Sequence, residues 1–253
     1  MLLRLFSRRW LPATLLVLLA AAVLVRLGFW QLDRLQQRRA FNSRVVEQQN
    51  DDPLVLDESN LDLDLYSMEF RQVVVTGEYL PEDEIMLRNQ VWPGEFGSEL
   101  GVSLFTPLRI QGTDAAILVE RGWIPETDVH NRKQYEEVGT VIVRGQLRRD
   151  ETDFDLVAFL RPDPPLAADE PRRALWNNLD LDSVASQMDG ELLPVYVQRF
   201  ADGEQTRPPY ALPPTLDLSE GPHLGYAIQW FSFAGLLLAG YPLYVNRQSA
   251  SPC

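Results

Sequence analysis

Cysteine and histidine are almost missing from the chain, which removes most of the usual metal sites and cross-links. The 253 residues include one cysteine, Cys253, at the last position. An intrachain disulfide bond and a cysteine-based zinc or copper motif are therefore excluded. The two histidines, His130 and His223, are too few for a multi-histidine metal site.

Acidic residues are absent from both ends of the chain and abundant in its middle. Residues 1–30 and 226–253 contain no Asp or Glu, whereas they hold five of the 23 basic residues. Residues 31–225 hold all 36 acidic residues and the other 18 basic ones, a net charge of −18. Nucleic-acid phosphates are bound by Lys and Arg, so we expect no nucleic-acid partner. The acidic middle is either an ordinary solvated surface or a docking face for a basic partner.

Two long apolar runs predict a protein that crosses a membrane twice. They occupy residues 11–30 and 226–245, and each has about the 20 residues that span a bilayer. The first run is also compatible with a cleavable signal peptide, since arginines precede it and Ala20–Ala22 lie inside it. The run nevertheless continues to Trp30 without a break, which favours an uncleaved anchor.

The basic residues predict how the chain is oriented. Arginines before the first run favour a cytoplasmic N-terminus at residues 1–10, although the arginines that follow the run weaken this bias. Two spans then place residues 31–225 outside the cytoplasm and return residues 246–253 to it. We expect the cell (inner) membrane of a bacterium, because no long Arg- and Ser-rich presequence precedes the first run. In a mitochondrion the middle segment would face the intermembrane space.

The segment between the runs is predicted to be rich in short β-strands. Apolar and β-branched stretches punctuated by glycine predict six of them. They cover residues 70–79, 84–91, 102–110, 115–124, 140–148 and 192–200. Such strands indicate an antiparallel sheet or a partly closed barrel. The expected fold class is α+β, with two transmembrane helices flanking an extracytoplasmic, antiparallel β-rich domain.

The remaining segments are predicted as helices and loops. Residues 31–46 continue the first apolar run as a polar, helix-compatible stretch. Residues 180–188 form a short helix, for which Asp180 or Asp182 can serve as N-cap. The proline-containing segments 51–65, 161–171 and 207–214 are expected to be loops.

No motif in the sequence indicates an enzyme. The serines lack a nucleophile elbow, and the glycine-rich residues 94–101 lack the Lys and the helix of a phosphate-binding loop. The acidic cluster Asp150, Glu151, Asp153 and Asp155 is either a solvated loop or a cation site. We therefore expect no enzyme, and an anchored enzyme that uses this cluster remains one alternative.

Aromatic residues and a histidine flank the two apolar runs. Trp30 ends the first run, while Tyr226 and Trp230 begin the second, so all three are expected at the same membrane interface. They form either an ordinary aromatic belt or part of a binding site. His223 precedes the second run and is either a structural histidine or a ligand for haem iron.

Five separate stretches, in order, resemble the motifs of the Surf1 (Shy1) family. They are Leu27–Arg38, Tyr66–Tyr79, Thr106–Leu108, Leu118–Pro125 and Gly221–Phe231. The matching motif positions are Gly28, Trp30, Gln31, Arg34, Gly77, Pro107, Arg121, Gly122, Trp123, Pro125, His223, Tyr226 and Trp230. One departure is Glu120, where the family usually has Asn or Asp.

This resemblance implies an assembly factor for haem–copper cytochrome c oxidase that assists haem a insertion into, or maturation of, the largest subunit. The implied partners are that subunit, other oxidase assembly factors and membrane lipid. Haem a is the implied cofactor, with His223 as its iron ligand and Tyr226, Trp230 and Trp30 around it. The alternative is a membrane-anchored extracytoplasmic binding module for another protein or ligand.

The motif Arg121–Trp123 has two interpretations. The structural one, which we favour, gives Gly122 an unusual backbone angle and makes Trp123 a core residue. In the functional one, Arg121 meets a haem propionate or a carboxylate of a partner.

Overall fold

The computed structural model describes residues 5–94, 97–150, 163, 172–201, 203, 205–211 and 216–248. The chain divides into two compact units. The helical unit combines the chain up to Arg44 with the chain from Asp217 onward, and the barrel unit is Val45–Leu216.

Within the described residues the chain forms three α-helices and eight β-strands. The helices are α1 (Leu11–Asn50), α2 (Leu181–Ala185) and α3 (His223–Gln248). The strands are β1 (Leu54–Leu56), β2 (Gln72–Tyr79), β3 (Ile85–Gly94), β4 (Gly97–Ile110), β5 (Ala116–Pro125), β6 (Thr140–Arg148), β7 (Leu175–Trp176) and β8 (Leu192–Arg199). Short 3₁₀ segments occupy Leu65–Met68, Pro81–Asp83 and Glu126–Tyr135.

Helices α1 and α3 lie side by side and antiparallel in the helical unit. The Thr14 and Tyr241 hydroxyls are 2.9 Å apart near one end of the pair. Towards the other end, the Phe29 and Phe231 rings meet edge-on with their centroids 5.3 Å apart. Both helices are long and apolar enough to cross a membrane. At 1.5 Å per residue α1 is about 60 Å long, so its polar second half extends beyond a hydrocarbon core of about 30 Å.

The helix pair buries small residues and exposes large apolar ones. Ala21, Gly28, Ala227 and Ala234 are buried, so the two helices approach closely at these positions. The outer faces carry exposed apolar side chains that include Leu15, Leu16, Leu19, Val23, Leu236 and Leu243. Such continuous apolar surface is typical of helices that face lipid.

The barrel unit is a β-sheet that closes on itself. Strands follow the order β1-β2-β6-β8-β5-β4-β3-β7, and a further pairing of β2 with β4 closes a ring of five strands, β2, β6, β8, β5 and β4. All pairs in the ring are antiparallel except β5 with β8. The expectation of an antiparallel β-rich domain flanked by two candidate membrane helices is confirmed, and the barrel is closed rather than partly closed.

Alternate residues of the ring strands fill the barrel. Val73 and Val75 of β2 are buried, as are Ile117 and Val119 of β5, because side chains at i and i+2 point to the same face of a strand. Burying each such side chain contributes roughly 1.5–3 kcal/mol. A second apolar cluster lies on the opposite face of β4, β5 and β8 beneath α2 and β7; it contains Ile85, Phe105, Leu118, Trp176, Leu181, Val184 and Tyr196.

All six predicted strands are present; the strand at residues 140–148 has the predicted ends, and the other five have at least one shifted end. Strands β1 and β7 were not predicted, because strands of three and two residues have no periodicity to detect. Strand β1 lies in the predicted loop 51–65. Asp180 is the N-cap of α2, accepting a hydrogen bond from the Ser183 backbone N–H at 3.2 Å. Residues 151–155 of the acidic cluster lie outside the described residues, as do most of the loop 161–171 and residues 212–214.

Candidate functional site

A hydrogen bond from His223 to Gln31 links the two helices at the predicted aromatic interface. His223 is the first residue of α3, and its half-buried imidazole places Nδ1 2.9 Å from Oε1 of Gln31 on α1. The expected meeting of the two flanking stretches is therefore present in the helical unit.

The acceptor determines which imidazole nitrogen carries the proton. Oε1 of Gln31 can only accept a hydrogen bond, so Nδ1 of a neutral His223 is the donor. Nε2 then keeps its lone pair and can bind a metal ion. A histidine whose second nitrogen donates to a protein oxygen is the usual arrangement at metal centres in proteins.

The turn before α3 leaves room beside Nε2. Gly221 adopts φ = +67°, a backbone conformation that favours glycine. A Cβ at this position would lie 3.5 Å from Nε2 of His223, so the absent side chain leaves this nitrogen less crowded. The Pro222 carbonyl, just before α3, accepts the Tyr226 backbone N–H at 3.1 Å.

The three aromatic candidates lie near this level of the helix pair without joining into one cluster. Trp30 is exposed and lies against the Arg34 guanidinium, 5.7 Å from the ring centroid. Tyr226 is exposed, and Trp230 packs edge-on against Phe233 at 6.2 Å. In the part of the chain that the structure describes, Trp30 makes no ring contact with Tyr226 or Trp230.

Polar side chains in the second half of α1 hold the segment that leads into α3. Arg39 forms a two-pronged ion pair with Glu220, with both N···O distances 2.8 Å. Arg38 donates to the Ser219 carbonyl at 3.1 Å, and Asn42 donates to the Leu218 carbonyl at 2.6 Å. The hydrogen bond from Arg39 lowers the pKa of Glu220. These contacts could not be predicted from sequence, because the residues that make them are 176 to 181 positions apart.

In the barrel unit, Arg121 lies in a network of charges from its own chain. Arg121 is 3% exposed, and its guanidinium donates to Glu137 at 2.9 Å and pairs with Glu84 at 3.5 Å. Arg132 and Arg199 add further ion pairs to these two carboxylates, at 3.2 and 2.7 Å. Because both of its terminal nitrogens are engaged, Arg121 has a structural role in this conformation.

Burial and the arginines act in opposite directions on the two carboxylates. Burial raises the pKa of Glu84, although Thr106, Arg121 and Arg132 oppose it. Burial would also raise the pKa of Glu137, but the hydrogen bonds and charges of Arg199 and Arg121 outweigh it and hold that pKa below its usual range.

Gly122 and Trp123 lie against the segment that contains Tyr210. Gly122 has φ = +130°, and a Cβ there would collide with the Tyr210 carbonyl group. Trp123 is buried and exchanges two backbone hydrogen bonds with Tyr210, at 2.8 and 2.9 Å. The rings of Trp92, Trp123 and Tyr210 pack against one another, with centroid distances of 5.0 Å for Trp92–Tyr210, 6.2 Å for Trp123–Tyr210 and 6.1 Å for Trp92–Trp123.

Three other motif positions, Gly77, Pro107 and Pro125, have roles in the backbone of the barrel unit. Gly77 lies so close to the Arg109 carbonyl that a Cβ would clash with it. The Pro107 carbonyl accepts the Leu80 backbone N–H at 2.8 Å. Pro125 ends β5 and caps the 3₁₀ segment that follows.

A cavity of about 680 Å³ opens in the barrel unit, lined in part by Arg121, Glu137, Arg199 and Arg207. Asp150 is not among the described residues that line this cavity. Within the described residues, no three His, Cys, Asp or Glu side chains are grouped as a metal site.

Comparison with known proteins gives a consistent result across most of the chain. The family model described as the SURF1 family matches residues 18–235. A SURF1-like protein of Monosiga brevicollis is 30% identical over 236 residues, which cover 89% of this chain and 84% of the relative. A SURF1-like protein of Rickettsia felis is 26% identical over 246 residues, with 92% and 97% covered. The chain therefore belongs to the SURF1 family, a family of cytochrome oxidase assembly factors.

Proposed function

We propose that this protein assists the insertion of haem a into the largest subunit of haem–copper cytochrome c oxidase, and that His223 holds the haem in transit. The observation that carries the proposal is the hydrogen bond from His223 Nδ1 to Gln31, which leaves Nε2 as a free ligand atom. Neutral imidazole is a common axial ligand of haem iron.

A single protein ligand suits delivery better than permanent binding. The chain has two histidines, and His130 lies exposed in the barrel unit, so His223 would be the sole imidazole ligand. In the oxidase the haem supplies electron transfer and oxygen chemistry. Here the chain's own groups would hold and release it: His223 at the iron, and the rings of Trp30, Tyr226 and Trp230 as apolar surface.

The membrane setting fits the same proposal. Two helices able to span a bilayer bring His223 to one end of the second span. We propose that both termini are cytoplasmic and residues 31–225 extracytoplasmic in the cell membrane. Cysteine labelling tests this: after Cys253→Ser, single cysteines at positions 32 and 224 should react with an impermeant reagent from outside. Labelling of these two positions from opposite sides would contradict the topology.

The haem proposal is tested on protein purified from cells that make haem a. Wild-type protein should carry haem a in its absorption spectrum, and His223→Ala should lose it while the far-UV circular dichroism is unchanged. His130→Ala is the matched control and should keep its haem. Equal haem content in His223→Ala and wild type would remove His223 as the ligand.

The assembly role is tested in cells. Deletion of the gene should lower oxidase activity and the amount of haem a per oxidase complex, and the wild-type gene should restore both. The role in haem insertion is refuted by a normal haem content in the oxidase of the deletion strain.

A second function, a binding module for another ligand or protein, is favoured by the barrel cavity. If this is the function, Arg207→Glu, which changes an exposed lining residue, should lower oxidase assembly in cells while His223→Ala has no effect. The reverse outcome supports the haem proposal.

A further inference from the structure

We propose that Gln31 is a positioning residue that fixes the tautomer and the ring orientation of His223, so that Nε2 is the nitrogen presented to a ligand. This inference rests on the proposed function. Free imidazole can carry its proton on either nitrogen, and only one arrangement leaves Nε2 with a lone pair. The carboxamide of Gln31, 2.9 Å from Nδ1, selects that arrangement.

The structure holds Gln31 and His223 together from both sides. Three residues before Gln31 along α1, the Phe231 ring packs against Gly28, where a Cβ would lie 2.6 Å from it. On the other side, Arg39 forms an ion pair with Glu220. Arg39 lies eight residues after Gln31, and Glu220 lies three residues before His223. The relative register of the two helices is therefore fixed at two points that flank the hydrogen bond, so the acceptor meets the same ring nitrogen each time.

The chain provides a direct test that needs no haem. With ¹⁵N-labelled histidine, the full chain in detergent micelles gives signals from two imidazoles, which His130→Ala assigns. At a pH where His223 is neutral, wild type should show the proton on Nδ1. Gln31→Leu, which has similar volume and no acceptor, should move the His223 proton largely to Nε2. Gln36→Leu, at an exposed position on the same helix, should leave the His223 signals unchanged.

Haem-loaded protein provides the second measurement. Gln31→Leu should lower haem affinity by about 10- to 100-fold, the usual effect of removing the partner of a metal-binding histidine. Gln31→Glu should keep the haem and lower its reduction potential, because a carboxylate makes the imidazole a stronger electron donor. If Gln31 only stabilised the helix pair, Gln31→Glu would not lower the reduction potential of the haem.

The outcomes separate the inference from the proposed function. If His223→Ala keeps its haem, the proposed role of His223 as the haem ligand is wrong whatever the tautomer is. A wild-type His223 with its proton on Nε2 overturns the positioning role. The role is also overturned if His223→Ala loses haem, while both Gln31 variants match wild type in haem affinity and potential.

Discussion

The ring of Phe231 fills the space beside Gly28, where any other residue would place its side chain. A Cβ at position 28 would lie 2.6 Å from the ring, closer than two non-bonded carbon atoms can approach. The Phe29 ring also packs against Phe231, edge-on, with the two ring centroids 5.3 Å apart. The close approach of α1 and α3 at this level therefore depends on glycine.

Gly28→Val should separate the two helices and destabilise the helical unit. Overpacking of a tight contact costs about 1–3 kcal/mol, and the ring of Phe231 must move away. Gly235→Val is the matched control, because open space surrounds Gly235 on α3 and the cost there should be small. Denaturation of both variants in detergent micelles measures the difference. Equal stabilities of Gly28→Val and Gly235→Val would show that the Phe231 ring moves aside without strain.

Gly122→Ala should destabilise the barrel unit for two separable reasons. The backbone at φ = +130° disfavours any side chain, which costs about 1–3 kcal/mol, and the Cβ collides with the Tyr210 carbonyl group. Gly139→Ala isolates the first reason, since Gly139 also has positive φ (+90°) but nothing within 4 Å of a Cβ. Thermal unfolding, followed by tryptophan fluorescence, should rank wild type above Gly139→Ala and Gly122→Ala lowest. A reversed order of the two variants would contradict the close contact with Tyr210.

Arg121→Met should destabilise the barrel unit by about 3 kcal/mol at neutral pH, because it leaves the buried carboxylate of Glu84 and the half-buried carboxylate of Glu137 with fewer partners. Arg109→Met, which removes an exposed arginine from β4, should change stability by less than about 0.5 kcal/mol.

The effect of Arg121→Met should also depend on pH, with a known sign. The pKa of Glu137 is lowered in the folded protein, so its ion pairs stabilise the fold above the unfolded pKa of about 4.5 and lose this effect as pH falls through the lower folded pKa. The difference between wild type and variant should therefore shrink below about pH 4.5. Urea denaturation at pH 7 and pH 4 measures it, and a constant difference would assign the effect to lost packing instead.

Elements with a local signal could be predicted from the sequence. The two apolar runs, the six longer strands and the Asp180 cap each depend on residues within one short window. Closure of the barrel could not be predicted, because it pairs Gly77 with Ile110 and Val119 with Val197 across long separations. Nothing in either strand alone identifies its partner.

The candidate site could be predicted in part, because some of its residues also have a local signal. His223 and Gln31 stand out as positions beside apolar runs, and their antiparallel pairing follows from two adjacent spans. The partners of Arg121 could not be predicted, since Glu84 and Glu137 resemble ordinary exposed acids until the fold buries Glu84 and half-buries Glu137. Their burial beside an arginine is a property of the tertiary structure.

Glu120 is a buried acid on β5 whose ionisation should oppose folding. It is 7% exposed, and burial raises its pKa although Gln198 and Arg148 act in the opposite direction. In the folded state the carboxyl therefore binds its proton at a higher pH than in the unfolded state. The stability that this group contributes is present below the unfolded pKa of about 4.5 and is lost as pH rises through the folded pKa.

Glu120→Gln, which resembles the protonated acid, should therefore be more stable than wild type at pH 7, by about 1.4 kcal/mol for each unit by which the pKa is raised. The advantage should disappear as pH falls towards 4.5. Glu191→Gln, at an exposed position just before β8, is the matched control and should change stability little at either pH. Urea denaturation across pH 4.5–7.5 measures both variants. A Glu120→Gln protein that is less stable than wild type at pH 7 would show that the attraction of Arg148 exceeds the cost of burying the charge.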